Sequence, residues 1–356
     1  MTGVRAIRSH PPAAGNARAD KGPILTVSGL KAYYRTRVFG VNREVRAVDD
    51  VSFSVGRSEI YGLAGESSSG KSTLIKTVAA AIRPPLKVVA GTVRFDFKDG
   101  VARDIYKLTP EELSAIRWSH LSYIMQGSMS VLNPVRRVRQ AFSDFAGRHI
   151  GQPPKAFRAT VERHLERLHL QPNVLDAYPH ELSGGMRQRV AIALATVCHP
   201  EFIIADEPTT ALDVIVQKGV LTMLRDVQRD LGSSILFVTH DMAVHANLSD
   251  RLGIMYAGRL VEEGRTRDIF KQPLHPYTRH LIDSLPRLGD ASPKLGLAGS
   301  PPSLADPPSG CRFHPRCPLA IDVCRDVNPV LEELAPGQRV ACHVARQTIM
   351  REEGRP

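Results

Sequence analysis

The chain has 356 residues, about twice the modal domain, which is enough for one large core with an appended piece. Hydrophobic residues at 42%, charged residues at 23% and a mean hydropathy of −0.16 exclude a disordered, fibrous or membrane-embedded chain. The net charge of +11 raises nucleic acid or anionic lipid as partners, but much of the excess sits in residues 1–22 and 136–167, which read as a loose tail and a docking face.

Residues 1–22 are basic and contain Pro and Gly without the apolar core of a secretory signal. They read as a disordered tail on a chain expected to stay in the cytoplasm. Short β-like runs follow at Ile24–Val27, Ala47–Val55 and Ile60–Ala64. The spacing of Leu74, Ile75, Val78, Ala79 and Ile82 predicts a helix that Pro84 stops. Residues from about 110 to 198 read as mostly helical. Their longest apolar run, Val190–Cys198, is too short to cross a bilayer, and Cys198 reads as a core residue on an apolar helix face. Two further apolar strands are expected at Phe202–Ala205 and Ile235–Val238, completing an α/β layering with a helical insertion. No internal repeat is present. From about Pro286 a Pro, Gly and Ser-rich linker begins, and a cysteine-bearing segment follows it.

Gly65-Glu66-Ser67-Ser68-Ser69-Gly70-Lys71-Ser72 fits G-x-x-x-x-G-K-[ST] between a predicted strand and a predicted helix, the context a phosphate-binding loop requires. Its backbone N–H groups can cradle phosphate oxygens at the positive end of the following helix. Lys71 then reaches the β- and γ-phosphates and Ser72 ligates Mg²⁺. Phe202–Ala205 ends in Asp206 and Glu207: the first faces the metal shell, the second is placed to activate a water. Leu182-Ser183-Gly184-Gly185-Met186-Arg187-Gln188 puts a hydroxyl and two glycines before a helix expected at Gln188–Cys198. This is a second phosphate-binding terminus, which one loop does not need, so it points to a nucleotide held by another subunit.

At these residues the chain resembles the ATP-binding subunits of ABC transporters, over roughly residues 24–285. The resemblance implies a P-loop NTPase α/β core with an antiparallel β subdomain and a helical subdomain, placed here at 23–285 with the helical part at about 110–198. A small C-terminal cysteine-rich segment, 286–356, is appended. It assigns ATP contacts to Gly65, Ser67, Ser68, Ser69, Gly70, Lys71, Ser72 and Thr73, with Tyr34 stacking on adenine and Tyr33 as its rival. It makes Gln126 the Q-loop residue that contacts Mg²⁺ and reports occupancy, Ala211-Leu212-Asp213 the D-loop, and His240 the switch histidine. Ser183, Gly184 and Gly185 then act in trans on the ATP of a partner, Glu207 activates the attacking water, and Ser72, Gln126 and Asp206 surround Mg²⁺.

SMSVLNP, YPHELSGGMRQRVAIALA, HPYT at 275–278 and GCRFHPRCPLAIDVC narrow the resemblance to oligopeptide/dipeptide importers, a group that also includes nickel importers. It implies an ATPase that powers peptide uptake from the cytoplasmic face of the membrane. Its partners are a second ATPase subunit, identical or homologous, two permease subunits and an extracellular solute-binding protein, with no nucleic acid. A soluble ABC-type ATPase acting on nucleic acid is the alternative class. Cys311, Cys317, Cys324 and Cys342 fall within 32 residues as C-x5-C-x6-C-x17-C. In a cytosolic chain this suggests a metal before disulfides. Family members hold a [4Fe–4S] cluster on such cysteines, with Zn²⁺ or reduced thiols as alternatives. Two positions depart from the family pattern: Ser68 stands where Gly is usual, and Gly127 follows Gln126 where Asp is usual.

Overall fold

The computed structural model describes residues 22–38, 40–210, 212–285 and 297–352. In chain order the elements are strands β1 (Leu25–Val38), β2 (Val41–Val55) and β3 (Ile60–Ala64), helix α1 (Lys71–Val78), strands β4 (Leu86–Asp96) and β5 (Ala102–Asp104), helix α2 (Pro110–Ile116) and strand β6 (Leu121–Ile124). Helices α3 (Val138–Ile150), α4 (Pro154–Arg167) and α5 (Gly184–Thr196) follow, then β7 (Phe202–Asp206), α6 (Val214–Leu231), β8 (Ser234–Val238), α7 (Met242–Leu248), β9 (Arg251–Tyr256) and β10 (Arg259–Arg265). The chain closes with α8 (Thr266–Lys271), α9 (Pro276–Asp283), α10 (Val323–Asp326), the hairpin β11 (Glu332–Ala335) and β12 (Gln338–Val340), and α11 (His343–Glu352).

The strands form two sheets, an antiparallel one of order β2-β1-β4-β5 and a mixed one of order β11-β12-β10-β9-β3-β8-β7-β6. Strands β9, β3, β8, β7 and β6 are parallel neighbours, and β10, β12 and β11 add on antiparallel. Strands β3, β7 and β8 are buried at every residue, as a parallel sheet covered on both faces demands. Their alternate side chains feed two cores. Ile203, Ile235 and Phe237 pack with Phe142, Leu165 and Val190 of the helical part. Phe202, Ile204, Leu236 and Val238 pack with Leu25, Val48, Phe53 and Phe95 of the antiparallel sheet. Among the described residues no helix is long and apolar enough to cross a membrane.

The α/β layering and both sheets agree with expectation, and the differences are local. Helix α1 ends at Val78, well before Pro84, because Ala80 turns to φ 48°. Helix α5 starts at Gly184, earlier than Gln188, since Ser183 caps it, and it ends at Thr196, leaving Cys198 beyond the helix, half-buried against the core. Strand β6 lies inside the stretch read as helical; its four residues, LSYI, are too few to show a period. The C-terminal segment is less separate than the linker suggested. Strand β12 pairs with β10 through Glu262↔Val340 and Glu263↔Arg339, extending the main sheet. Residues 1–21 of the expected tail, residues 286–296 of the expected linker and Ala211 of the expected D-loop lie outside the described residues.

The basic stretch 136–167 spends part of its charge internally. Arg136 pairs with Asp144, Arg139 and Arg158 pair with Asp176, and Arg158 also pairs with Glu162. Arg137 donates to the Asp176 carbonyl at 2.7 Å and stacks over Tyr178.

Candidate nucleotide site

Strand β3 runs through the middle of the sheet and delivers residues 65–70 to its edge, where α1 begins. Two glycines make that turn possible. Gly65 has φ 146°, and a Cβ there would stand 2.1 Å from the Met255 carbonyl oxygen; at Gly70, φ 103°, it would stand 2.0 Å from that of Ala47. Lys71 folds back into the loop, its Nζ donating to the carbonyls of Gly65 at 2.6 Å and Glu66 at 2.8 Å and to Ser69 Oγ at 3.3 Å. The side chain is buried, and burial pushes its ammonium down to about 8 against the pull of Glu207, Asp206 and Glu66. Ser67, Ser68 and Ser72 are exposed. Ser72, Tyr34, Gln126 and Asp206 line one cleft of about 970 Å³.

Asp206 ends β7 in the buried interior. Its Oδ2 accepts from the Tyr123 hydroxyl at 3.2 Å, while its Oδ1 is buried with no hydrogen-bond partner among the described residues. Burial raises its pKa, with Glu207 adding to the shift. A buried carboxylate oxygen left bare beside Ser72 fits a hard divalent cation such as Mg²⁺. Glu207 follows with φ 45°, a strained backbone for a non-glycine residue, held by its N–H donating to the Val238 carbonyl at 2.8 Å. Its carboxylate gathers three side chains. Thr210 Oγ1 donates to Oε2 at 2.8 Å, Gln126 Nε2 donates to the same oxygen at 3.5 Å, and His240 Nδ1 lies 3.2 Å from Oε1. His240 is largely exposed, so this cluster opens to solvent.

The two tyrosine candidates separate by burial. Tyr33 is buried and donates to Asp49, and burial pushes its phenol up to about 12. Tyr34 is half-buried and its hydroxyl lies 3.2 Å from Thr73 Oγ1 on α1. Gly127 has φ 67°, a left-handed turn that glycine adopts without cost.

Ser183, Gly184 and Gly185 stay outside this cluster. Ser183 Oγ accepts from the Met186 N–H at 3.3 Å as the cap of α5, which packs on α3, α4, α6 and β6. Asp213 caps α6, its Oδ1 accepting from the Ile215 and Val216 N–H groups at 3.1 and 2.9 Å. Beside it Val214 and Ile215 are exposed at 80% and 84%.

Tyr123 and Thr210 were missed by sequence reasoning. Tyr123 lies on the unforeseen strand β6, while Thr210 stands three residues after Glu207, a spacing that could have been read as a local hydrogen bond.

The four C-terminal cysteines form no disulfide among the described residues. Cys311 donates its backbone N–H to the Cys324 carbonyl at 2.8 Å, and burial, reinforced by the neighbouring thiols, pushes its own thiol up to about 11. Yet among the described residues no three His, Cys, Asp or Glu side chains are placed to hold a metal ion. The expected [4Fe–4S] or Zn²⁺ site therefore has no ready ligand set among the described residues. Nearby, His314 Nδ1 lies 2.9 Å from the Cys311 carbonyl oxygen and His343 Nε2 2.9 Å from that of Val327.

The ABC transporter family profile matches residues 48–210, and that of the oligopeptide/dipeptide transporter C-terminal region matches residues 261–324. The dipeptide transport ATP-binding protein DppD of Caldanaerobacter subterraneus subsp. tengcongensis is 38% identical over 336 residues, 94% of this chain and 98% of that protein. Among solved structures, a dimeric post-hydrolysis state of the ATP-binding cassette MJ0796 bound to ADP and Pi superposes with a TM-score of 0.57. It is 24% identical and covers 68% of this chain and 99% of that one. A second dimeric structure of the same cassette gives 0.56 at the same identity and coverage. These two establish the fold, and the long alignment to DppD establishes the lineage: the chain belongs to the ATP-binding subunits of ABC transporters, in the group that carries the oligopeptide/dipeptide transporter C-terminal region.

Proposed function

We propose that this chain is the ATPase of an importer that takes up di- and oligopeptides. Gly65 and residues 67–73 hold the ATP phosphates, Tyr34 stacks on adenine, and Glu207 is the general base for the attacking water, with Gln126 and His240 orienting that water and the γ-phosphate. Mg²⁺, held by Ser72, Asp206 and Gln126, neutralises charge on the phosphates. The carrying observation is the Glu207 carboxylate, which gathers Gln126, Thr210 and His240 one residue past the bare Asp206 oxygen. Ser183, Gly184 and Gly185 serve the ATP of a second ATPase subunit, with Asp213 beside that interface. This reading is supported by the Ser183 hydroxyl being engaged only at the start of its own helix and by the exposed Val214 and Ile215 beside Asp213. Two permeases and an extracellular solute-binding protein complete the complex, which places the chain at the cytoplasmic face of the membrane.

The test is Glu207→Gln in the full chain reconstituted with its permeases. Hydrolysis falls at least ~100-fold while ATP binding persists, because only the proton acceptor is lost. Unchanged hydrolysis would overturn the assignment. Labelled dipeptide uptake in vesicles separates peptide from nickel or other solutes, and retention on nucleic acid at low salt would favour the alternative class.

For the cysteines, we infer that the four thiols converge only around a [4Fe–4S] cluster. The reading rests on their spacing in the sequence, and no catalytic step depends on it. Anaerobic protein with about four irons per chain upholds it; iron-free protein, with or without zinc, refutes it.

A further inference from the structure

The phosphate loop is gripped from outside by the C-terminal region. Glu66, the second residue of the loop, turns its carboxylate toward Arg316, whose Nη1 donates to Oε2 at 2.8 Å and Nη2 to Oε1 at 3.2 Å, a two-pronged pair. The Arg316 side chain is 6% exposed and that of Glu66 26%, so the pair is shielded from solvent. The guanidinium is itself fixed, with Nε donating to the Ala298 carbonyl at 3.2 Å and Nη1 to Tyr256 Oη at 3.3 Å. The Glu66 N–H donates to the Tyr277 hydroxyl at 2.8 Å, and its carbonyl accepts from Lys71 Nζ at 2.8 Å and the Ser69 N–H at 3.2 Å. Every polar group of Glu66 is thus committed, two of them to residues 277 and 316 of the C-terminal region. The rings of Tyr256, Tyr277 and Phe313, with centroids 4.6, 5.2 and 5.4 Å apart, hold the two anchors together.

We propose that Arg316 is a positioning residue for ATP: by neutralising and orienting Glu66 it sets the phosphate loop, so ATP affinity depends on the seating of the C-terminal region. This rests on residues 65–72 being the ATP phosphate loop. Glu66 is an acid beside a site for polyanionic phosphates. Unpaired, its carboxylate repels them, and its carbonyl, the acceptor that holds Lys71, loses its anchor.

The experiment is a double-mutant cycle in the full chain, reading KM and kcat for ATP and the Kd of a fluorescent ATP analogue. Arg316→Ala raises KM and Kd about tenfold, in the range of coupling between linked sites, with kcat changed less than about threefold. In the Glu66→Gln background the same substitution shifts Kd less than about twofold, since no carboxylate remains to neutralise. Arg316→Lys, which keeps the charge but not the fork, recovers part of the loss. A purely structural role moves kcat and KM together, with equal effect in both backgrounds; that pattern, or a Kd within twofold of wild type in Arg316→Ala, overturns the proposal. Should Arg316→Ala fail to fold, Arg316→Lys is compared across the same two backgrounds with the same criteria. Lys71→Ala is the control. If it binds ATP as tightly as the native chain, the phosphate-loop reading has failed and the proposal falls with it; if it abolishes binding, a negative cycle counts against Arg316 alone.

Discussion

Ser68 and the two loop glycines show how differently single positions constrain one turn. Gly65 and Gly70 cannot accept a side chain because backbone carbonyls stand about where a Cβ would go. Ser68 has room, being exposed, but sits at φ 65°, in the left-handed region where a side chain is strained. Replacing it with glycine relieves about 1 kcal/mol. Ser68→Gly is therefore expected to raise the unfolding midpoint slightly and, if the strain slows turnover, to raise the ATPase rate. An unchanged or lower rate sinks the link to turnover. Glu207 is strained too, at φ 45°, but its backbone is tied to β8 and its carboxylate to three side chains, so the surrounding fold holds it there.

At the scale of elements, the helix starts carry double duty. Asp213, expected at a subunit interface, is also the N-cap of the 18-residue α6, with two N–H groups on one carboxylate oxygen. Asp213→Ala should cost about 1 kcal/mol of stability in the isolated chain, read from urea unfolding. Asp213→Asn, which can still cap, should recover most of it. If the two variants are equally destabilised, the cap is not the cause. Strands carry a different burden. Hairpin β11–β12 covers the outer edge of β10, and Gln338 Nε2 donates at 2.7 Å to Glu262, a buried carboxylate that also accepts from the Leu274 and His275 N–H groups. That edge would otherwise present unpaired backbone groups, which is a physical reason for the C-terminal segment to be welded on rather than tethered.

At the scale of the whole molecule, the buried histidines His164, His245 and His275 tie stability to pH. Burial pushes His164 and His245 down to about 4 and His275 to about 3. Unfolded, each takes up its proton near 6.5, so below that pH the unfolded chain binds more protons than the folded one. Their contribution is intact above pH 6.5 and erodes as pH falls toward 4, by on the order of 1 kcal/mol per pH unit for each histidine. Denaturant midpoints at pH 7.5, 6 and 5 should drop in that order; a flat profile would mean these rings are protonated in the fold.

The sequence by itself determined the parts of this protein that are contiguous. A phosphate loop, an acidic strand end and a helix capped by Ser-Gly-Gly each announce themselves because their chemistry needs neighbours in the chain, and the apolar runs at Ile60, Phe202 and Ile235 are unmistakable strands because both faces are covered. What only the tertiary structure decided lies between distant segments. That Tyr33 is buried against Asp49 while the Tyr34 hydroxyl reaches Thr73 on α1 follows from which side of β1 each occupies. Strand β6 is visible only through its pairing with β7. The C-terminal region looked like a separate appendage, yet Arg312 pairs with Asp49 and Arg316 with Glu66, across 263 and 250 positions of chain. Hydrophobic period and motif spacing are local signals, whereas a charge pair between remote residues leaves no mark in either, so it becomes visible only when the sheet brings the two ends together.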